Sequence, residues 1–383
     1  MNIDGLNFVI AGAGIGGLAA ALILRRKGAR VTLVEQAPEL TEIGAGLQIS
    51  ANGMTVLRAL GVLEDGPASG LKSSGTILRD YRKGRLISEI PAPRAGPTYY
   101  FHRADLVDLL HMAAQRAGVE LRLATRVSQA SLQSDQVEVA LNTDERLSAD
   151  CVIGADGGRS SLRPVLNGPD EPQFSHQVAW RATLPWAHGQ QISKAVLTMA
   201  PGRHVVTYPL RDHRLMNVVA VEERSDWREE GWMQAGDPED LQARFADFGG
   251  AVGDIIRQVR HPNIWALFLR PVAETWQNGR LALLGDAAHP TLPFMAQGAC
   301  LALEDAWMLG RSFDAQPGVA AALAAYERIR RPRARKVVAT ANANARNFHL
   351  RGPMRLAAQM ALTVIGPRLV DKYDWIYGYD PTV

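Results

Sequence analysis

The chain has 383 residues, so at about 150 residues per domain it holds two to three domains, or one large α/β domain with insertions. With 47% hydrophobic and 21% charged residues it is composed like an ordinary globular protein, which excludes disorder and collagen-like fibre. A net charge of +3 is too mild to indicate a nucleic-acid partner, although it permits a local positive funnel for a small anion.

Leu6–Ala11 is a short apolar run, the pattern of a strand covered on both faces. Gly14–Lys27 is helical in composition and stops at Gly28. Arg30–Glu35 is a second strand, which makes a strand–helix–strand unit with a right-handed crossover. The uncharged run Phe8–Leu24 is neither a membrane span nor a signal peptide. It is short, broken early by glycines, closed by Arg25-Arg26-Lys27, and preceded only by Asp4. Arg103–Ala117 reads as a helix with Leu106, Leu109 and Leu110 on one face. Leu121–Leu123, Val137–Leu141, Cys151–Gly154 and Leu281–Leu284 read as strands.

Residues 171–275 have another texture. Gln177–Leu184, Val196–Met199, His204–Tyr208 and Met216–Val221 are short runs parted by turn residues, the mark of a mostly antiparallel sheet. A nucleotide-binding α/β domain is thus interrupted by a sheet inserted before its final strand. The chain is helical in pattern from Ala320, with Pro332 expected to kink or restart the helix. The basic run Arg328, Arg330, Arg331, Arg333, Arg335, Lys336 reads as a solvated helix face, with no nucleic-acid role. The hydrophobic residues of 354–383 would cover the core or a partner subunit, and the chain is read as a monomer or homodimer. Two cysteines, Cys151 and Cys300, make neither a disulfide framework nor a zinc site. No metal is expected, and a cytoplasmic location is the simplest reading.

Three loops carry the chemistry. Gly12-Ala13-Gly14-Ile15-Gly16-Gly17 fits G-x-G-x-x-G after a strand and before a helix, and Glu35 closes the next strand at about the twenty-residue distance expected. Gly12 allows the tight turn, Gly14 admits a pyrophosphate, Gly17 permits close packing, and Glu35 accepts from ribose hydroxyls. This motif alone does not choose between NAD and FAD. Gly154-Ala155-Asp156-Gly157-Gly158-Arg159 and Leu284-Gly285-Asp286-Ala287-Ala288-His289 each follow a buried strand and place an Asp at its carboxyl end.

Together GAGIGG, GADGGRSSLR and LLGDAAHPTLPFMAQGACLALEDA resemble the single-component FAD-dependent aromatic hydroxylases of the p-hydroxybenzoate hydroxylase fold, with salicylate, 3-hydroxybenzoate and 6-hydroxynicotinate hydroxylases nearest in look. The resemblance implies a Rossmann-like FAD-binding domain from 1–70, 98–170 and 276–345. It implies a substrate domain from 71–97 and 171–275 and a C-terminal helical segment, 346–383. It implies that Gly12, Gly14, Gly17 and Glu35 hold the ADP part of FAD, and that Arg103 contacts its pyrophosphate and ribityl chain. Asp156 and Gly157 would serve both FAD and the visiting nicotinamide. Asp286 would bond the ribityl hydroxyls, and Pro293, Gly298 and Ala299 would face the isoalloxazine ring.

Only one G-x-G-x-x-G is present, so NADH or NADPH would visit transiently. The resemblance then implies an NAD(P)H-dependent flavoprotein monooxygenase that adds oxygen from O2 to a small aromatic ring through a flavin C4a-hydroperoxide. Such a reaction needs a base for the substrate phenol. His204 and Tyr208, four apart on a strand, share one face and are the candidates. Gln297, Gln48, Arg181, Phe294 and Met295 are candidate substrate contacts, and Gln297 is also a catalytic candidate. His289 reads as a packed or solvated histidine and Cys300 as a small buried residue. The same flavin chemistry on a larger or non-aromatic substrate, such as a polyketide or quinone precursor, is an alternative. A flavin-binding redox sensor without turnover is another.

Overall fold

The computed structural model describes residues 1–40, 46–63, 70–186, 193–227 and 234–383. Its centre is a five-stranded parallel sheet in the order Leu281–Leu283, Cys151–Gly154, Asn7–Ala11, Arg30–Val34, Glu120–Arg122. The inner strands are apolar at nearly every position, and their side chains share one buried cluster with residues of the helices and of the strands Val127–Leu132 and Val137–Leu141. Ile15–Arg26 follows the first strand and packs against Gly298–Ala315 and Arg103–Arg116. Val127–Leu132, Val137–Leu141 and Arg146–Ala149 form a separate antiparallel sheet, of which the sequence displayed only the middle strand.

The inserted sheet has eight strands. Its middle is Asn263–Leu269, Gln173–Pro185, Leu215–Glu223, Arg203–Leu210 and Lys194–Ala200, all antiparallel. Gly75–Asp80 then joins in parallel, followed by Leu86–Pro91. Alternation gives the two faces different work. Trp180, Val205 and Val218 point to one side and pack under the helices Pro238–Arg244 and Ala251–Gln258, with Phe245 and Phe248. The other side faces the nucleotide-binding half of the molecule. The fold is therefore a Rossmann-like α/β domain with an inserted, mostly antiparallel sheet and C-terminal helices.

One expectation needs correction, in the helix Val319–Asn347, which runs through Pro332 without a restart and packs on Gly298–Ala315. Its basic run is not simply a solvated face. Arg330 is 0% exposed and pairs with Glu304 at 2.6 Å and Asp305 at 2.7 Å, both also buried. Gly352–Ile365 and Leu369–Tyr377 close the chain; Ala358 and Leu362 of the first reach the cavity described next. Among the described residues no helix is long and apolar enough to cross a membrane.

Candidate active site

One cavity of about 760 Å³ lies between the parallel sheet and the inserted sheet, within the usual range for a ligand site. Its first end is built from the strand–turn–helix of the glycine motif. Gly12 has a φ of +97°, and a Cβ there would run into the Ala155 carbonyl. A Cβ on Gly17 would run into the Gly12 carbonyl oxygen. Gly14 differs: nothing lies within 4 Å of where its Cβ would be, and the residue faces the cavity. It starts a helix that no side chain caps, so the first N–H groups and the positive dipole end face open space. That cradle fits a pyrophosphate.

The neighbouring residues suit the rest of a flavin dinucleotide. The Glu35 carboxylate ends the second strand and accepts from Ala13 N–H at 2.8 Å and Ala37 N–H at 2.9 Å. An ionised carboxylate has about four acceptor positions, so two remain for ribose hydroxyls. Gly157 and Arg103 line the cavity. Asp156 does not: its Oδ2 accepts from Ser161 N–H at 2.8 Å and Ser161 Oγ at 3.1 Å, which fixes the turn behind Gly157. Asp286 is exposed to the cavity but enclosed by protein elsewhere, and that enclosure pushes its carboxyl above the usual range. Pro293, Gly298 and Ala299 line the middle of the cavity, where a second uncapped helix begins at Gly298.

The far end is the free face of the inserted sheet. Strand register places three rows of side chains side by side. Ala179, Val221, His204 and Met199 form one, Arg181, Val219, Val206 and Leu197 the next, and Thr183, Asn217, Tyr208 and Ala195 the third. His204 and Tyr208 thus flank the row that carries Arg181, and all three line the cavity. The Arg181 guanidinium lies over the Trp265 ring, 4.9 Å from its centre. Tyr208 stacks on Tyr100 with ring centres 4.9 Å apart. Burial raises both phenols, Tyr100 to about 12, so both stay protonated near neutral pH. Burial, then His349, pushes the His204 imidazole well below its ordinary value. His204 packs on Phe294, and Met295 and Gln48 also line the cavity.

Gln297 reaches the cavity, but its amide is engaged: Nε2 donates to Ser50 Oγ at 3.0 Å, and Oε1 accepts from Asn52 at 2.9 Å. Asn52 also donates to Glu304 at 2.6 Å, joining the loop to Arg330. His289 is fully buried and bonds Asp305. Burial alone would raise the Asp305 carboxyl, but His289 and Arg330 hold it at about 2. Cys300 is buried, and its thiol is pushed up to about 11, which makes it a packed residue rather than a nucleophile. Sequence reasoning missed Ser50, Asn52, Glu304 and His349. The adjacent acids Glu304-Asp305 in the otherwise apolar stretch 298–310 were the signal available for one of them.

Known proteins share the fold and the FAD-binding family of this chain. A family described as an FAD binding domain matches residues 6–341. A 3-hydroxybenzoate 6-hydroxylase of Klebsiella oxytoca is 34% identical over 97% of this chain and 96% of its own length. A salicylate hydroxylase solved with its substrate superposes with a TM-score of 0.81 at 26% identity, covering 99% of this chain and 96% of that one. A Klebsiella pneumoniae protein, HpxO, solved with FAD and uric acid superposes with a TM-score of 0.85 at 25% identity, covering 97% and 96%.

Proposed function

This chain belongs to the FAD-binding-domain family of flavoprotein monooxygenases, and from that premise we propose that it hydroxylates a small hydroxybenzoate-like acid with NAD(P)H and O2. The observation that carries the substrate class is the cavity wall on which His204, Arg181 and Tyr208 occupy three successive rows of one sheet face. A neutral imidazole, a cation and a neutral phenol are the set needed for a ring bearing a hydroxyl and a carboxylate.

Gly14 and the helix start behind it would take the FAD pyrophosphate, with Gly12 and Gly17 shaping the turn and Glu35 holding the adenosine ribose. Arg103 and Asp286 would hold the ribityl chain, and Pro293, Gly298 and Ala299 would back the ring. Gly157, set by Asp156, would leave room for the visiting nicotinamide. Bound FAD, once reduced by NAD(P)H, supplies the electrophilic oxygen drawn from O2.

The chain's own residues prepare the ring. His204 accepts the substrate hydroxyl proton, which turns the phenol into a stronger nucleophile. Tyr208 donates to the resulting oxygen, and Arg181 pairs with the carboxylate. Phe294, Met295 and Leu197 keep water from the reacting edge. Gln48 borders the same space. Gln297 is a positioning residue, since its amide ties the ring-facing loop to Ser50 and Asn52. Two buried free thiols support a cytoplasmic place.

The test is a panel of hydroxybenzoates, with 3-hydroxybenzoate first, scored for NAD(P)H oxidation and for a product one oxygen heavier. His204→Gln should lower hydroxylation about 100-fold and Tyr208→Phe about tenfold, with FAD retained in both. If no aromatic acid accelerates oxidation, or peroxide is the only product, the proposal fails. The sensor reading predicts the first of these results, no acceleration by any aromatic acid.

A further inference from the structure

His204 does not stand alone. Its Nδ1 lies 2.8 Å from Nε2 of His349, a residue 145 positions further along the chain. His349 Nδ1 lies 3.2 Å from Glu223 Oε1. Both imidazoles are buried, whereas the Glu223 side chain is 38% exposed. A continuous line of nitrogen and oxygen atoms therefore runs from the cavity to solvent. Backbone bonds brace it: Gly202 N–H donates to the His349 carbonyl at 3.2 Å, and Glu223 N–H donates to the Gly202 carbonyl at 2.9 Å.

We infer that His349 and Glu223 form a relay that takes the proton His204 accepts from the substrate hydroxyl and delivers it to solvent. The inference rests on His204 being the base, as proposed above.

The direction of the relay follows from its outer end. A carboxylate accepts only, so Glu223 holds the His349 proton on Nδ1. His349 Nε2 is then a bare acceptor, which holds the His204 proton on Nδ1. His204 Nε2 is left unprotonated, the state a base needs. Gln177 Nε2 lies 3.3 Å from His349 Nδ1 while its Oε1 has no partner; with the amide turned by 180° the oxygen takes that place and becomes a second acceptor for the same N–H. The charged groups facing the pair are Glu223 and Arg351, which is ion-paired to Glu223; the Phe294 and Phe348 rings complete the wall around His204. Burial, the leading cause, lowers His349 to about 4 and His204 below its ordinary value, so both rings rest neutral.

The transfer balances. The substrate O–H bond breaks and an N–H forms at His204 Nε2. The Nδ1 proton of His204 moves to His349 Nε2, and the Nδ1 proton of His349 moves to Glu223. Glu223 then releases a proton to water. No oxidant or reductant takes part. Once the product has formed, transfer in the opposite sense resets the chain: Glu223 takes a proton from water, a proton returns to each Nδ1, and the Nε2 proton of His204 passes to the phenolate oxygen of the departing product.

Two measurements test this on the FAD-loaded protein. The first needs no substrate: ¹⁵N-histidine NMR, with His204→Gln and His349→Gln to assign the signals. Both rings should carry hydrogen on Nδ1 and none on Nε2, and Glu223→Gln should remove that preference at His349. A His204 ring protonated on Nε2 overturns the relay. The second is proton release into a dilute indicator after mixing with 3-hydroxybenzoate, together with the pH profile of its hydroxylation. His349→Gln and Glu223→Gln should slow release about tenfold or more while FAD retention is unchanged, and Glu223→Asp should restore most of the rate. Release and pH profile like the unaltered protein in both variants overturn the relay, while loss of hydroxylation in His204→Gln alone leaves the base intact. Full hydroxylation in His204→Gln removes the base, and the relay with it.

Discussion

Single residues divide into those that shape the cavity and those that face it. Gly17 and Asp286 show the difference. A methyl group on Gly17 would collide with the Gly12 carbonyl oxygen, so Gly17→Ala should destabilise the fold by about 1–3 kcal/mol, read as a lower denaturant midpoint for the FAD-free protein. Asp286 faces the cavity, so Asp286→Ala should leave that midpoint close to unchanged and weaken FAD retention roughly 10- to 150-fold, read by flavin absorbance after gel filtration. Equal FAD retention in Asp286→Ala would remove it from the cofactor site. Both positions were readable because a glycine turn and a strand-end acid are local patterns. Asp156 was less readable: its motif marks the turn, but only the fold shows that its carboxylate turns to Ser161.

At the scale of elements, two helices are joined through buried charge. Arg330 of Val319–Asn347 meets Glu304 and Asp305 of Gly298–Ala315, and Arg333 joins Glu304 at 2.7 Å. Removing one partner of such a set leaves uncompensated charge, so Arg330→Met should cost about 3–5 kcal/mol in urea unfolding. The acid side has a definite sign. Asp305 is held at about 2, below the value of about 3.9 for an unfolded Asp. Its contribution is therefore full above pH ~4 and is lost as pH falls toward 2. Arg330→Met should show a shallower loss of stability across that window; an unchanged slope would mean the pair does not report on folding. Arg330 was misread because charge runs are usually solvated, and nothing local marks the one arginine whose helix face turns inward. Helical spacing of Arg330 and Arg333 was compatible with several rotations, and packing chose among them.

For the whole molecule, the cavity lies between two sheets built from distant parts of the chain. Both walls would touch the cofactor and substrate. FAD at 100 times its dissociation constant should add about 2.7 kcal/mol to the FAD-free protein and raise its unfolding temperature by several degrees, measured by circular dichroism. No shift would mean that FAD does not bind the folded chain.

The chain by itself determined the nucleotide-binding unit, its three loops and the antiparallel character of the insert. Those properties are written in short windows, by hydrophobic period, glycine placement and the ends of strands. It also placed His204 and Tyr208 on one face, since two-residue alternation is a local rule. Only tertiary structure decided that Arg181 lies in the row between them, that Gln297 is tied to Asn52, and that His349 backs His204. Those pairings join residues far apart in the chain, and strand register and helix packing, not neighbouring sequence, set their distances.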